Sequence, residues 1–238
     1  MKLNKIFVLF FFFIIFNSLS FSETVYLTDN SVVNCPTENG LFTGIGTHVF
    51  SDGSRYEGEF SHGLYNGKGK LSCPKYVYDG EFQNGSMTGL GRIVYADGEE
   101  YNGEFRDSMY NGNGKCVDAQ GNVYAGNFID GYLEGKGSIR LANGDSYSGT
   151  FSKGRLQGKG VFRNAAGDYY EGLFTDNHFD GEGKLTMSNG KEYKGVFVNG
   201  KLPAKYNKTK TGFIYKIIFA LSIILNIIFL IQRRKDRV

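Results

Sequence analysis

Seven tyrosines recur at a nearly fixed interval: Tyr56, Tyr78, Tyr101, Tyr124, Tyr147, Tyr170 and Tyr193. Their spacings are 22, 23, 23, 23, 23 and 23 residues. Each opens the phrase Y-x-G-x-F, with glycines Gly58, Gly80, Gly103, Gly126, Gly149, Gly172 and Gly195. The closing phenylalanines are Phe60, Phe82, Phe105, Phe128, Phe151, Phe174 and Phe197. A second phrase, G-x-G, follows at Gly67/Gly69, Gly89/Gly91, Gly112/Gly114, Gly135/Gly137, Gly158/Gly160 and Gly181/Gly183, with an earlier copy at Gly44/Gly46. Self-similarity at this period means that one supersecondary unit is stacked on copies of itself. The array therefore opens with a half repeat near Gly40 and closes with another from Tyr193 to Gly200.

Both phrases have the period of a strand. Alternate residues of a strand share a face, so Tyr, Gly and Phe point one way and the charged residues between them point the other. The G-x-G phrase continues in phase to Leu71, Ile93, Cys116, Ile139, Phe162 and Leu185; His48 breaks this column in the leading half repeat. Glycine weakens a strand, so its recurrence predicts that a ring from the neighbouring strand fills the space above it. Asp52-Gly53, Asp97-Gly98, Asn143-Gly144 and Asn189-Gly190 predict tight hairpins. In the other link, Ser108 and Asn177 replace glycine. With 34 Gly but only 3 Pro among 238 residues, the chain is neither collagen-like nor a proline-rich linker. Its 16% aromatic content argues against disorder.

Y-x-G-x-F-x-x-G-x-x-x-G-x-G at this period resembles the MORN (membrane occupation and recognition nexus) repeat, as in Tyr78 to Gly91 and Tyr147 to Gly160. The resemblance covers about residues 40–200. It implies an all-β fold, an elongated single twisted antiparallel sheet of stacked β-hairpins. Relatives include junctophilins, plant phosphatidylinositol phosphate kinases and some histone lysine methyltransferases, in which the chemistry sits in a separate domain.

The two ends read as membrane-directed. Lys2 and Lys5 precede an apolar run from Ile6 to Phe16, followed by Ser18, Ser20 and Ser22: residues 1–22 are expected to be a signal peptide. Residues 23–39 are the N-terminal cap, 40–200 the array, 201–212 a juxtamembrane stalk and 232–238 a short basic cytoplasmic tail. Phe213 to Ile231 is long enough to cross a bilayer as one α-helix. A translocating signal places the array on the luminal or extracellular side of a secretory-pathway or cell-surface membrane, giving a single-pass type I protein.

Candidate chemical groups are sparse. His48, His62 and His178 fall in different repeats and read as surface or edge histidines. Cys35 and Cys73 are candidates for a disulfide from the cap to the first repeat, while Cys116 falls on the inner face. Glu57, Glu59, Asp79, Glu81 and Glu104 form an acidic ladder expected to face water. Asn84 and Asn207 head N-x-S/T triplets, acceptors for glycosylation in a luminal domain. The expectation is a chain without catalytic residues, metal site or cofactor. Charge is uneven: residues 23–130 carry 15 acidic and 7 basic side chains, net −8, and residues 131–210 carry 8 and 13, net +5. Nucleic acid is not an expected partner. A membrane-anchored, non-enzymatic scaffold or protein-interaction module is the leading reading, its partner protein not specified by sequence. Direct binding of anionic phospholipid is the alternative, and an enzyme or metal site on the acidic ladder the third.

Overall fold

The computed structural model describes residues 22–202 and Tyr206. The predicted stretches 1–21 of the signal, 203–205 and 207–212 of the stalk, the helix over 213–231, the tail and Asn207 lie outside the described residues. Among the described residues there is no α-helix, and no helix long and apolar enough to cross a membrane. The chain divides into two compact units, residues 1–87 and 88–238.

In the first unit the strands are β1 (Ser22–Tyr26), β2 (Val32–Glu38), β3 (Leu41–Phe42), β4 (Gly44–Val49), β5 (Arg55–Ser61), β6 (Leu64–Ser72) and β7 (Tyr76–Gln83). The predicted cap is a β1–β2 hairpin whose second strand pairs with β3 and β4; β4 then pairs with β5, β5 with β6 and β6 with β7, all antiparallel. Strand β8 (Ser86–Tyr95) crosses the boundary. The second unit continues with β9 (Glu100–Arg106), β10 (Met109–Val117), β11 (Val123–Ile129), β12 (Tyr132–Arg140), β13 (Ser146–Ser152), β14 (Arg155–Arg163), β15 (Tyr169–Thr175), β16 (His178–Thr186) and β17 (Glu192–Phe197). From β8 to β17 each strand pairs antiparallel with the next. Each repeat is thus one hairpin, with the Y-x-G-x-F phrase on its first strand and G-x-G on its second.

Register puts the tyrosine row against the Leu71 column and glycine against glycine: Tyr101 faces Cys116 and Gly103 faces Gly114, for example. Beyond the glycines the second strand carries extra residues. Phe60 pairs with Tyr65 although Gly58 pairs with Gly69, so three residues of β6 lie across from Glu59 alone. This bulge puts Gly67 (φ 63°) and its counterpart Gly112 (φ 61°) in the left-handed region, a backbone that glycine adopts without cost. It also turns one more side chain inward per repeat, at Tyr65, Met87, Tyr110, Leu133, Leu156 and Phe179. All six are buried except Tyr65, which is half-buried.

The turn types are the reverse of the sequence expectation. The two-residue links His62–Gly63, Asn84–Gly85, Asp107–Ser108, Asp130–Gly131, Lys153–Gly154, Asp176–Asn177 and Asn199–Gly200 have positive φ at both positions, the signature of type I′ hairpins. The links at Asp52-Gly53, Asp97-Gly98, Asn143-Gly144 and Asn189-Gly190 instead close three-residue loops. Gly53 N–H donates to Phe50 O at 3.0 Å and Phe50 N–H to Ser54 O at 2.8 Å, with Gly53 alone left-handed. The reason is local: the Asp52 carboxylate accepts the Ser54 N–H at 2.8 Å, which holds Asp52 itself in an ordinary right-handed turn. Ser108 is held at φ 61°, a conformation that costs a side chain roughly 1–2 kcal/mol. Ser108→Gly, after the extra chain entropy of glycine, is expected to stabilise the protein by about 0.5–1 kcal/mol. A urea midpoint that fails to rise would refute this.

Both links are tied across repeats. The N–H of Gly63, Gly85, Gly131, Gly154 and Gly200 donates to the carbonyl of Phe42, Tyr65, Tyr110, Leu133 and Phe179 in the preceding repeat, at 2.9 Å in each case. Asn177 does the same to Leu156 at 3.1 Å, and its Oδ1 accepts the Leu156 N–H at 2.7 Å. On the opposite margin, Asn122, Asp145 and Asp168 accept the N–H of Ala142, Ala165 and Ser188 in the following repeat. Neighbouring hairpins are therefore joined through their turns as well as through their strands.

Candidate interaction surface

The repeat residues singled out by sequence form the inner face. Tyr56, Tyr78, Tyr101, Tyr124, Tyr147 and Tyr170 are buried, as are Phe60, Phe82, Phe105, Phe128, Phe151, Phe174 and Phe197; only Tyr193 is half-buried. Rings do cover the glycines, but mostly from the same hairpin. The Tyr101 ring folds back over Gly103 of its own strand and Gly114 of the paired strand, and its hydroxyl donates to Glu104 O at 2.9 Å. Tyr110 stacks on its other side at 3.7 Å. Tyr56 with Tyr65 and Tyr170 with Phe179 repeat this sandwich at the same centroid distance. Where the second-strand residue is leucine, Leu133 covers Gly126 and Gly137 and Leu156 covers Gly149, while Gly160 lies under Phe174 of the next repeat. Tyr124 then sends its hydroxyl to the buried Asp118 carboxylate at 3.0 Å. Tyr147 packs on Phe162 at 4.9 Å.

With the rings spent on the core, the outer face carries what remains. In the first unit Glu57 lies across from Lys70, Lys70 across from Asp79, and Lys68 across from Glu81, so the acidic strands β5 and β7 flank the basic strand β6. Cross-strand opposite charges favour this pairing. Ion pairs such as Arg92–Glu100 at 2.7 Å and Lys184–Glu192 at 2.6 Å are about half exposed, and each contributes little. Two members of the predicted acidic ladder do more than face water. The Glu59 and Glu104 carboxylates fold over the bulges and accept the N–H of Lys68 and Asn113, each at 2.9 Å. Among the described residues no group of three or more His, Cys, Asp or Glu converges for a metal ion.

In the second unit the outer face is dished along the glycine row. A shallow groove of about 500 Å³ has the backbone of Gly149, Gly160 and Gly172 as its floor. Val161 and Glu171 line one wall; Lys159, Leu173 and Glu182 line the other. Absent side chains on the inner face thus thin the sheet from outside as well.

Two expectations about single residues are corrected. His48 is an inner-face residue in the row of Tyr56 and Leu71. It stacks on Phe50 at 4.1 Å, and its Nδ1 lies 2.8 Å from the Tyr65 hydroxyl. Burial lowers its pKa, opposed by the negative charge of Asp29. The unfolded chain then binds this proton more readily than the folded one below about pH 6.5. Stability is expected to fall as the pH drops from 6.5 toward the folded pKa, by less than about 1.4 kcal/mol per pH unit. His48→Leu, matching Leu71, removes that slope; thermal melts of both proteins between about pH 5 and 7.5 with parallel slopes would refute the assignment. His62 and His178 are exposed, as expected.

The Cys35–Cys73 bridge is not formed: Cys35, Cys73 and Cys116 are free thiols. Cys35 lies on β2, three ladder steps from β6 by way of β4 and β5. At about 4.8 Å per step that is roughly 14 Å, against an upper limit near 7 Å for bridged Cα atoms. Its thiol is buried and donates to Gly44 O at 3.7 Å, and burial raises its pKa. Cys116 is buried on the inner face as expected, 3.9 Å from the buried Glu99 carboxylate. Asn84 sits exposed at the first position of its turn (φ 49°).

The MORN repeat family profile matches residues 38–55, 56–76, 78–100, 101–123, 124–146, 147–169 and 170–192, well over half of the chain. The chain belongs to the MORN-repeat proteins. Its first matched copy is the leading half repeat, and the match ends one residue before Tyr193, whose phrase forms the lone strand β17. No curated protein matches this MORN chain. Among solved structures it is similar to the wild-type TCP10 domain of Danio rerio CPAP, with 11% identity, 73% of this chain and 94% of that chain covered, and a TM-score of 0.28. The same domain in complex with a peptide of Danio rerio STIL gives 11% identity, 76% and 97% coverage and a TM-score of 0.29. Virginiamycin B lyase from Staphylococcus aureus, at 11% identity, covers 79% and 74% with a TM-score of 0.14. Superpositions this loose carry no functional argument.

Proposed function

We propose that this MORN protein is a non-enzymatic scaffold, anchored in a secretory-pathway or cell-surface membrane through residues 213–231, whose array binds a protein partner on its outer face. The observation that carries the reading is the division of labour across the sheet. The aromatic and aliphatic side chains of the repeat lie on the inner face, while the outer face of the second unit offers the glycine-floored groove with Lys159, Glu171 and Glu182 along it. Such a surface suits an extended segment laid across several strands. Topology is tested by protease protection of the array in sealed vesicles together with glycosidase-sensitive mobility at Asn84 and Asn207; a fully digested, unglycosylated array refutes the luminal placement. Cross-linking from Lys159→Cys at the groove wall tests the surface. It is expected to capture one defined protein, and Leu173→Glu is expected to abolish the capture.

A second reading rests on the net charge of +5 over residues 131–210: these basic side chains hold an anionic phospholipid surface. Retention of the array by anionic but not neutral vesicles, weakened by salt and with no protein captured, selects this reading over the first.

A further inference from the structure

The net charge of +5 over residues 131–210 sits in one place. Residues 136–163 carry six basic side chains and one acidic, net +5, whereas the rest of that stretch carries seven of each. They run from the second half of β12 through β13 to the end of β14, and the outward-facing residues of the three strands make a grid. In the middle, β13 presents the hydroxyls of Ser146, Ser148 and Thr150. On one side β12 sets Arg140 across from Ser146, Ser138 across from Ser148 and Lys136 across from Thr150. On the other, β14 sets Arg163 across from Ser146 and Val161 across from Ser148, with Lys159 in the bulge beside Thr150. All are exposed except Ser146 and Val161, which are half-buried. A line of hydroxyls therefore runs between an arginine pair at one end and a lysine pair at the other. The partners of a pair stand about 10 Å apart across β13, and the two pairs about 14 Å apart along it. Lys153, exposed in the turn that follows β13, prolongs the line.

None of the four corner cations takes part in an ion pair among the described residues. The carboxylates within and just before this stretch are engaged elsewhere: Asp145 accepts the Ala165 N–H at 3.0 Å, and Glu134 accepts the Lys153 N–H at 2.7 Å. The Arg163 guanidinium rests over the Tyr169 ring at 5.3 Å, a contact that orients it without cancelling its charge. We propose that this strip binds a sulfated polysaccharide, a linear chain of sulfate esters laid along β13. Each pair of cations, with the hydroxyl between them, matches one sulfate, whose three terminal oxygens accept from both cations and the hydroxyl. A chain suits the strip better than a plane does. Glu171, Glu182 and Glu192 stand exposed on β15, β16 and β17. An anionic bilayer laid flat on this face meets those carboxylates, whereas a rod along β13 stays about 10 Å from the first of them. Protein segments are anchored by apolar side chains in pockets, and single-stranded nucleic acid by stacking on aromatic ones. The grid holds one half-buried valine and no ring. The site is additional to the partner surface proposed above, and depends on the luminal or extracellular placement only for the ligand to be met.

The probe is heparin, immobilised for chromatography and free for titration, with the full chain in a mild nonionic detergent. The wild type is expected to be retained, with an affinity that falls steeply as salt is added. Arg140→Glu with Arg163→Glu, and Lys136→Glu with Lys159→Glu, are each expected to weaken binding about tenfold or more. Arg140→Gln with Arg163→Gln repeats the loss in direction and guards against a fold disturbed by charge reversal. Lys191→Glu with Lys201→Glu makes the same change of charge in the same unit away from the grid, and is expected to stay within about twofold of the wild type. Ser146→Ala, Ser148→Ala and Thr150→Val together keep every charge and are expected to cost about threefold. Poly-glutamate and anionic vesicles are expected to compete at least about tenfold less well than heparin at equal charge. A chain that heparin does not retain overturns the proposal, as does retention that the Arg140 and Arg163 pair does not affect or that the Lys191 and Lys201 pair reduces equally. Equal competition by poly-glutamate assigns the strip to an acidic protein segment instead, and equal competition by vesicles to a membrane; either overturns it too. Arg140 and Arg163 lie outside the groove lining, so capture of a protein from Lys159→Cys is read separately, and protease protection reports the topology whatever the column shows.

Discussion

Between about pH 10 and 12 the array is expected to unfold cooperatively, well before the carbonyl ladder itself is challenged. A free phenol ionises near pH 10. Burial pushes the Tyr56 hydroxyl up to about 12 and raises those of Tyr65, Tyr78, Tyr124, Tyr147 and Tyr170 further. A raised folded pKa means that the unfolded chain releases the proton first. The stabilisation is therefore complete below pH 10 and is lost as the pH climbs toward each folded value. At about pH 11 each such tyrosine has cost roughly 1.4 kcal/mol. Three belong to each unit, so each unit loses roughly 4 kcal/mol, a large share of an ordinary domain's 5–15 kcal/mol. Far-ultraviolet circular dichroism and phenolate absorbance should change together in one steep transition. A gradual phenolate signal with unchanged dichroism would show that the rings are not held as described.

The second large effect is at the covered glycines. A Cβ placed on Gly114 falls 2.6 Å from Cε2 of Tyr101. The ring has nowhere to go, since Tyr110 backs it at 3.7 Å and its hydroxyl is tied to Glu104 O. Gly114→Ala is expected to cost about 1–3 kcal/mol, the range for overpacking a filled core, and Gly69→Ala and Gly183→Ala the same. At Gly137 the nearest side-chain atom is Cδ1 of Leu133 at 3.0 Å, the movable end of a flexible group, so Gly137→Ala should cost clearly less. Urea midpoints decide it: equal losses at Gly114 and Gly137 would refute the distinction between tyrosine-covered and leucine-covered repeats.

That distinction marks where the sequence stopped being legible. Period-two alternation in Y-x-G-x-F placed the tyrosines, glycines and phenylalanines on the inner face, and they are there. What alternation does not register is a bulge. Two extra residues around Gly67 or Gly112 keep the phase but break the pairing, so the inward column from Tyr65 to Phe179 lies across from the phenylalanine of the first strand, a register that alternation alone does not show. A signal was available, because those six residues recur at the same period and all are large and apolar. The choice between ring and leucine there decides which group covers the glycines, a packing outcome with no one-residue signature. His48 illustrates the same limit: it read as a break in an apolar column, and its polar nitrogen is accommodated by a tyrosine hydroxyl from the next hairpin. The Cys35–Cys73 pairing failed on distance, since neighbours in the order of elements are still three strands apart. The turn types were exchanged because Asn-Gly and Asp-Gly fit both hairpin classes, and the Asx hydrogen bond that separates them is visible only in three dimensions. On the outer face, Glu59 and Glu104 looked like a charge ladder and also serve the backbone of the bulge.

The ties between successive turns have a consequence for how the protein moves. In most sheets the connecting loops fray first, each on its own, and the strands follow. Here many turn amides are held by a carbonyl or carboxylate of an adjoining repeat, so the loops tied in this way have no independent way to open. The smallest opening that breaks a complete set of partners is a whole hairpin, and fluctuations should come in repeat-sized steps starting from a free end.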